Sequence, residues 1–288
     1  MLQQLALAFP ELDPVAISIG PLVLRWYALA YMAGLLLAWW YCRRIARRPD
    51  SGAKVEAIDD LIAWATLGVV LGGRLGYILF YKPGYYLANP EEILFLWEGG
   101  MSFHGGLLGV LAAIGWVAHR HGLRYFQLSD IVGCATPIGL LLGRLANFVN
   151  GELYGRVTTV SWGMVFPTGG PEPRHPSQLY QAFLEGICVF VLLWLFLRAG
   201  RLRQPGFLSG LFLIGYGTAR IVGEFFREPD AHLGFILGPI TMGQLLSLPM
   251  VAIGIWFIVR AVREAPTAVP PMAPSAAPRP TRVAKKRK

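Results

Sequence analysis

Charge is scarce in this chain. Only 15% of its 288 residues are Asp, Glu, Lys or Arg, while 55% are hydrophobic; a soluble globular domain carries about a quarter charged residues. That shortage excludes an ordinary soluble domain. Several apolar runs approach or exceed ~20 residues, long enough to cross a hydrocarbon core of ~30 Å. Cysteine is sparse as well. Cys42, Cys134 and Cys188 lie in apolar segments with no CxxC spacing and no companion histidines. Neither a disulfide framework nor a zinc site is indicated, and buried small hydrophobes are expected. There is no GxSxG elbow, no HExxH and no Walker loop, so an intramembrane hydrolase, a metalloprotease and an ATP-driven pump each lack their motif. No metal or organic cofactor is implied. The opening "MLQQLALAFPELDP" has no basic n-region and no small-residue cleavage site, so no removable signal peptide is expected. The chain shows no internal repeat.

What charge there is sits in places that report topology. The net charge of +9 invites a nucleic-acid reading, but the basic residues gather in "RRIARR" (43–48), "RHGLR" (120–124), "RAGRLR" (198–203) and the tail ending "KKRK". Each cluster lies just beyond a hydrophobic run, as in loops retained in the cytoplasm. Nucleic acid is therefore not an expected partner; the membrane is. Hydropathy predicts an all-α, polytopic fold with seven transmembrane helices at roughly 15–42, 58–81, 102–119, 128–149, 176–198, 207–227 and 239–260. Alternating sides puts 18 of the 26 Lys and Arg on one face and four (Lys82, Arg156, Arg174, Arg227) on the other. The positive-inside rule then sets the N-terminus outside and the C-terminus in the cytoplasm. Residues 1–263 read as one transmembrane unit, and 264–288 as a Pro/Ala-rich basic tail, disordered and able to touch anionic lipid. The outer segments 81–100 and 151–178, rich in Gly, Pro and aromatics, suit re-entrant or interfacial structure.

Four arginines remain inside the spans: Arg25, Arg74, Arg144 and Arg220. A mid-membrane arginine costs at least ~2.5 kcal/mol on insertion scales, so each needs a reason. Arg25, near the start of its span, can snorkel to headgroups or pair structurally. Arg74, in "LGGRLGY", is open between a hydrogen-bond hub and a site. Arg144 and Asn147 share a face at the outer third of span four, and Tyr216, Arg220 and Glu224 share one in the outer half of span six. Glu224 can be read as neutralising Arg220 or as part of a site. His104, flanked by glycines in "GGMSFHGG", stands at the outer entrance of span three. Tyr27 and "HPSQLYQAFLEG" lie at the same depth. Two arginines near a histidine at headgroup depth suit a phosphate ligand and a proton acceptor. Residue physics alone leaves open whether such a site supports a reaction or transport by a phospholipid transporter or scramblase.

"GRLANFVNGELYG" (143–155) narrows the choice. Its Gly-Arg, Asn-Phe, Asn, Glu and Gly spacing resembles the signature of the prolipoprotein diacylglyceryl transferase family. "SIGPLVLRWYALAY", "LGGRLGYILFY", "GGMSFHGGLLG", "RHPSQLYQAFLEG" and "GFLSGLFLIGYGTARIVGEFFREPD" are similar to that family too, over roughly residues 10 to 260. The resemblance implies transfer of a diacylglyceryl group from phosphatidylglycerol to the lipobox cysteine thiol of a prolipoprotein signal peptide, leaving a thioether and glycerol phosphate. It implies a multi-pass protein of the bacterial cytoplasmic (inner) membrane, with its active site toward the periplasm. Carried over by position, its important residues are Tyr27, His104, Arg144, Asn147, Gly155, Tyr216, Arg220 and Glu224, with Glu152 filling the signature's glutamate. Arg144 is then expected to hold the lipid phosphate, Asn147 to orient it, and Arg220 to stabilise charge on the departing glycerol phosphate. His104 is the candidate acceptor of the thiol proton, unless the arginines' field lowers the thiol pKa without a dedicated base.

Because the reacting thiol belongs to the substrate in this scheme, the chain's own cysteines are dispensable. Replacing Cys42, Cys134 and Cys188 together with Ala should leave transfer to a lipobox peptide within about threefold of the parent, since small core swaps are mild when volume is nearly kept. Loss of transfer in a well-folded triple variant would point to a covalent enzyme intermediate instead.

Overall fold

A computed structural model of the chain describes residues 7–10, 13–20, 22–229 and 234–264. Apart from Glu264, the expected tail at 264–288 lies outside the described residues. Helix dominates. Among the described residues the long helices are α1 (Trp26–Ala46), α2 (Val55–Tyr81), α4 (Phe103–Arg120), α5 (Tyr125–Val149), α6 (Ser177–Arg198), α7 (Phe207–Glu224) and α8 (Met242–Arg263), with a short α3 (Pro83–Ala88) after α2. Four of them, α2, α5, α6 and α8, are long and apolar enough to cross a membrane. Their outward faces carry large apolar side chains such as Leu75, Leu79, Val191, Leu195 and Trp256, all substantially exposed. An exposed apolar belt of this kind suits lipid rather than water.

The first expected span needs correction. Val15–Ile19 (β2) and Leu22–Arg25 (β3) pair as an antiparallel hairpin, and α1 starts only at Trp26. Gly20, at φ +58°, makes the turn. The run "AISIGPLVL" is apolar, and apolarity without period does not distinguish a strand from a helix. Two further two-stranded ladders bring Leu7–Ala8 (β1) beside Met164–Val165 (β4) in parallel and Phe235–Leu237 (β5) against Ile240–Thr241 (β6). The described chain is thus mostly rather than wholly helical. All three ladders lie outside the long helices, and of their strands only β4 falls within the segment 151–178 where re-entrant or interfacial structure was expected.

The bundle packs unequally along its length. The buried apolar core joins the end of α1 (Cys42, Ile45) and the start of α2 (Ala57, Ile58, Leu61) to the end of α4 (Ile114, Val117). It continues into the start of α5 (Leu128, Ile131, Cys134), the end of α6 (Leu193, Leu197) and the start of α7 (Leu208, Leu211). These are the helix ends next to the basic loops. Here Asp130 of α5, wholly buried, supplies a cap that α7 lacks. Its carboxylate accepts from the backbone N–H of Gly206 and Ser209 at 2.8 and 2.7 Å, and from the Ser209 hydroxyl at 2.6 Å. Because Gly206, the N-cap residue, has no side chain, Asp130 satisfies the orphan donors of that first turn.

Helices α2 and α4 meet on glycine. A Cβ on Gly109 would run into the Gly68 carbonyl oxygen, and one on Gly105 into that of Gly72. Small residues at a membrane helix interface let backbones approach closely enough for dispersion to hold them. Gly105 adjoins His104, so this seam sets where that imidazole sits.

Gly109→Val should therefore separate α2 from α4 and lower the Tm of the purified protein by roughly 5–10 °C, as overpacking of ~1–3 kcal/mol would at this chain length. Gly115→Ala, whose new Cβ would meet Tyr125 at an ordinary 3.8 Å, should change the Tm by no more than about 2 °C. Equal effects from the two substitutions would remove the seam as a constraint.

Candidate active site

The polar residues gather at the other end of the bundle, around one carboxylate. Residues Ala182–Cys188 of α6 form a π-helical turn that carries Glu185 with no solvent exposure. Arg144, on the last turns of α5, donates from Nε and Nη2 to Glu185 Oε2 at 3.1 and 3.0 Å. Arg220, on α7, brings Nη1 to 3.6 Å from Glu185 Oε1 and Nη2 to 2.8 Å from Glu224 Oε1. One carboxylate thus draws guanidinium groups from two helices onto a third. Wide π turns inside α-helices often occur at functional sites. Both arginine side chains stay 15% exposed, so neither is sealed from a ligand.

Glu224 is anchored more heavily than a simple counter-ion to Arg220 would be. Its Oε1 lies 3.5 Å from Arg227 Nη1, and its Oε2 accepts from Thr241 Oγ1 at 2.7 Å. Thr241 is the N-cap of α8, so the carboxylate also faces the positive end of that helix. At Gly243, in the first turn of α8, a Cβ would stand 2.7 Å from the Glu224 carboxyl carbon. Glycine keeps the place open. A pocket bounded by Arg220, Glu224, Arg227, Thr241 and Met242 adjoins the cluster.

The rest of the 143–155 segment forms a second layer. Asn147 and Asn150 donate from Nδ2 to Glu152 Oε1 at 2.8 and 3.3 Å. The Glu152 carbonyl accepts from Gln178 Nε2 at 2.6 Å, and the Leu153 carbonyl from Ser177 Oγ at 3.0 Å. The start of α6 is therefore bolted to the turn that ends α5. Tyr27, near the start of α1, approaches the Tyr31 hydroxyl at 3.5 Å and lies within electrostatic reach of Glu152. Tyr216, one turn before Arg220, feels the charges of Glu185, Arg220 and Arg144. Gly155 answers to packing: a Cβ there would stand 2.5 Å from the Phe226 carbonyl oxygen and 2.6 Å from that of His175.

Seven of the nine sequence-predicted residues thus belong to one polar end through these bonds and charges, and Gly155 lets its loop cross there. His104 is not joined to them. It is exposed on the first turn of α4, touches the Phe103 ring edge-on, and has no hydrogen bond or ion pair among the described residues. Arg74 resolves as a hub. It donates to the carbonyls of Ile93, Gly99, Gly100 and Glu92, pinning the loop that leads into α4. Arg25 is exposed. Another histidine, His175, lies in the loop before α6 with Nδ1 3.2 Å from the Tyr180 hydroxyl, and burial holds its pKa below the ordinary imidazole value. Among the described residues no group of three or more His, Cys, Asp or Glu could hold a metal ion.

The segment "HPSQLYQAFLEG" was placed at this depth and Arg227 on this face, but Gln178, Gln181, Glu185 and Arg227 were not singled out as site residues. The available signal was a lone acid inside the apolar run "AFLEGICVFVLLWLFL".

Four helices long and apolar enough to span, with carboxylates and guanidiniums buried together at one end, mark a helical multi-pass membrane protein. The pattern of the prolipoprotein diacylglyceryl transferase family matches residues 14–260. A Paramagnetospirillum magneticum protein named phosphatidylglycerol–prolipoprotein diacylglyceryl transferase is 57% identical over 261 residues, covering 90% of this chain and 97% of its own. Proteins of the same name from Rhodospirillum rubrum and Azospirillum brasilense are 56% and 53% identical, each over 92% of this chain and 98% and 100% of theirs. The chain belongs to the prolipoprotein diacylglyceryl transferase family.

Removing the shared carboxylate should be costly, because it leaves two guanidiniums facing each other. Breaking a buried pair costs about 3–5 kcal/mol, so Glu185→Gln should lower the Tm by roughly 10 °C. Arg144→Gln combined with Glu185→Gln should melt above Glu185→Gln alone, since the second change relieves what the first uncovers. Strictly additive losses would mean that the two side chains are not coupled.

Proposed function

We infer that this chain transfers the diacylglyceryl group of phosphatidylglycerol to the lipobox cysteine thiol of a prolipoprotein. Family membership across nearly the whole chain carries the reading. The arrangement of the polar end supports it. Two planar guanidiniums converge from separate helices, a geometry suited to gripping a phosphate through paired N–H donors. The transporter alternative draws no support from relatives that are named as transferases.

In this reading the lipid phosphate displaces part of the Arg144–Glu185 contact and sits between Arg144 and Arg220. The substrate sulfur attacks the glycerol carbon that carries the phosphate ester. A C–S bond forms as the C–O bond breaks, and the electron pair departs on the phosphate oxygen as glycerol phosphate. Arg220, already tied to Glu185 and Glu224, stabilises the charge that grows there without having to reorganise. Asn147, with Glu152, Tyr27 and Tyr216 beside it, orients the headgroup. A free thiol has a pKa near ~8.5 and is only a few per cent ionised at neutral pH, so its proton must go somewhere. His104 takes it. Its exposure and its distance from any described partner fit a group that meets the second substrate rather than the lipid phosphate.

The proposed setting is the bacterial cytoplasmic membrane, crossed seven times, with the N-terminus and the arginine end toward the periplasm and residues 264–288 as a basic cytoplasmic tail. The apolar core would then lie toward the cytoplasm, with the basic loops beyond it.

Purified protein incubated with phosphatidylglycerol and a lipobox peptide should yield a peptide heavier by one diacylglyceryl unit. Arg144→Ala and Arg220→Ala should each reduce the rate by about 100-fold or more, the usual effect of deleting a preorganised charge donor. Arg144→Lys should recover only part, having charge without the fork. His104→Gln should slow transfer by ~100-fold near neutral pH and regain much of the loss as pH rises past the peptide's thiol pKa, because hydroxide then supplies the thiolate. Rate–pH profiles that stay parallel would rule out His104 as the base, and an unmodified peptide would rule out the transferase.

A further inference from the structure

Buried polar atoms without hydrogen-bond partners among the described residues concentrate at the arginine end. They include Asn150 Oδ1, Gln178 Oε1, Glu185 Oε1, Arg220 Nη1 and both amide atoms of Gln181. Folded proteins leave few such atoms, and each one asks for an explanation. These are not scattered. Asn150 and Gln178 both bond Glu152, one through its carboxylate and the other through its carbonyl. Gln181, only 1% exposed, packs on α7 with its Cγ 3.2 Å from where a Cβ of Gly223 would be. Glu185, four residues further along the same helix, reaches Arg220 at 3.6 Å, an ion pair too long for a hydrogen bond. The unpaired atoms therefore run along one face of α6, from the end of α5 to Arg220 on α7.

Their chemistry is lopsided. Four are acceptors (Asn150 Oδ1, Gln178 Oε1, Gln181 Oε1, Glu185 Oε1) and two are donors (Gln181 Nε2, Arg220 Nη1). A phosphate group offers only acceptors, so it satisfies arginines and does nothing for the buried amide oxygens of Asn150, Gln178 and Gln181; Glu185 Oε1 already faces Arg220 Nη1 as an ion pair. The amide oxygens need a ligand part that donates. A hydroxyl donates one hydrogen bond and accepts others, which matches an amide that has both of its ends unpaired. An ammonium headgroup would also donate, but it would stand beside Arg144 and Arg220 and meet like charge.

We propose that Gln181 is a specificity-determining residue that, with Asn150, Gln178 and Glu185 around it, reads the hydroxyls of a polyol headgroup attached to the phosphate. The proposal rests on the transferase reading and refines it. The arginines select an anionic phospholipid, and the glutamine face selects phosphatidylglycerol among anionic phospholipids. A site with buried polar groups penalises a ligand that lacks the matching hydroxyls, because those groups are then left unpaired.

The test compares two donors of equal charge, phosphatidylglycerol and phosphatidylethanol, with a lipobox peptide as acceptor and kcat/KM as readout. Phosphatidylethanolamine is the third arm. The parent should prefer phosphatidylglycerol to phosphatidylethanol at least about tenfold. Gln181→Met, close in shape but without the amide, should bring that ratio to within about threefold of unity, with most of the loss falling on phosphatidylglycerol. The ratio is taken within one preparation, so the folded fraction cancels. Gln181→Asn keeps an amide on a shorter stem and should keep an intermediate preference; it carries the comparison if Gln181→Met is inactive. Equal losses toward both donors, or a Gln181→Met variant with the parent's ratio, would overturn the proposal and give Gln181 a purely structural role. So would a parent that does not discriminate, or a parent that favours phosphatidylethanolamine. A parent that transfers from no donor would instead bring down the transferase reading itself.

Discussion

The polar half of this molecule depends on a single buried charge. Glu185 has no solvent to share its charge with, and Arg144 and Arg220 reach it from two other helices. Without that carboxylate the two guanidiniums would repel each other in a low-dielectric setting, and α5 and α7 would lose their shared point of attachment to α6. A buried salt bridge is weak evidence for stability, because desolvation offsets most of its attraction. Its value here is positional: it keeps two guanidiniums close together and partly uncovered. The second carboxylate, Glu224, ties Arg220 in turn to Thr241 and the start of α8, so four helices converge on two acids.

The rest of the bundle frees that end to be polar. Leu128, Ile131, Leu193 and Leu208 are fully buried at the basic-loop end, where Asp130 also closes the first turn of α7. Dense packing at one end anchors the helices, and their other ends can then diverge around side chains that do not interdigitate. The α2–α4 pair follows different physics. Its closest contact is backbone on backbone across Gly68, Gly72, Gly105 and Gly109, with the Trp64 and Trp116 rings meeting edge-on further along. His104 thus rides on a rigid two-helix unit beside the one that carries the arginines.

Much of this was legible in the residues, for a reason that also explains what was not. A charge in an apolar run is expensive, so Arg144, Arg220 and Glu224 announced themselves, and turn-by-turn spacing put them on common faces. The "GRLANFVNGELYG" segment announced Asn147 and Glu152. Glu185 carries the same anomaly and Gln181 a milder, uncharged one, but they lie in a helix where no mid-span arginine drew attention to them. The hairpin at 15–25 escaped because an apolar strand and an apolar helix start look alike until a partner strand pairs. At Gly155 two backbones cross closely, and that crossing imposes on the residue the same demand for space that a nearby ligand would.

The separation of His104 from the arginines follows from what the two groups are asked to do under the proposed chemistry. A phosphate clamp must be stiff, with its donors fixed where charge will grow, and buried carboxylates supply that stiffness. A base for a peptide thiol has to meet a chain that arrives from outside the bundle. An imidazole exposed at a helix start, next to glycines at positions 99, 100, 105 and 106, meets that need better than one locked in an ion cluster. Keeping it on the α2–α4 pair leaves the imidazole clear of those carboxylates. The two functions then come together only when lipid and peptide are both present, with the lipid's reacting carbon between them.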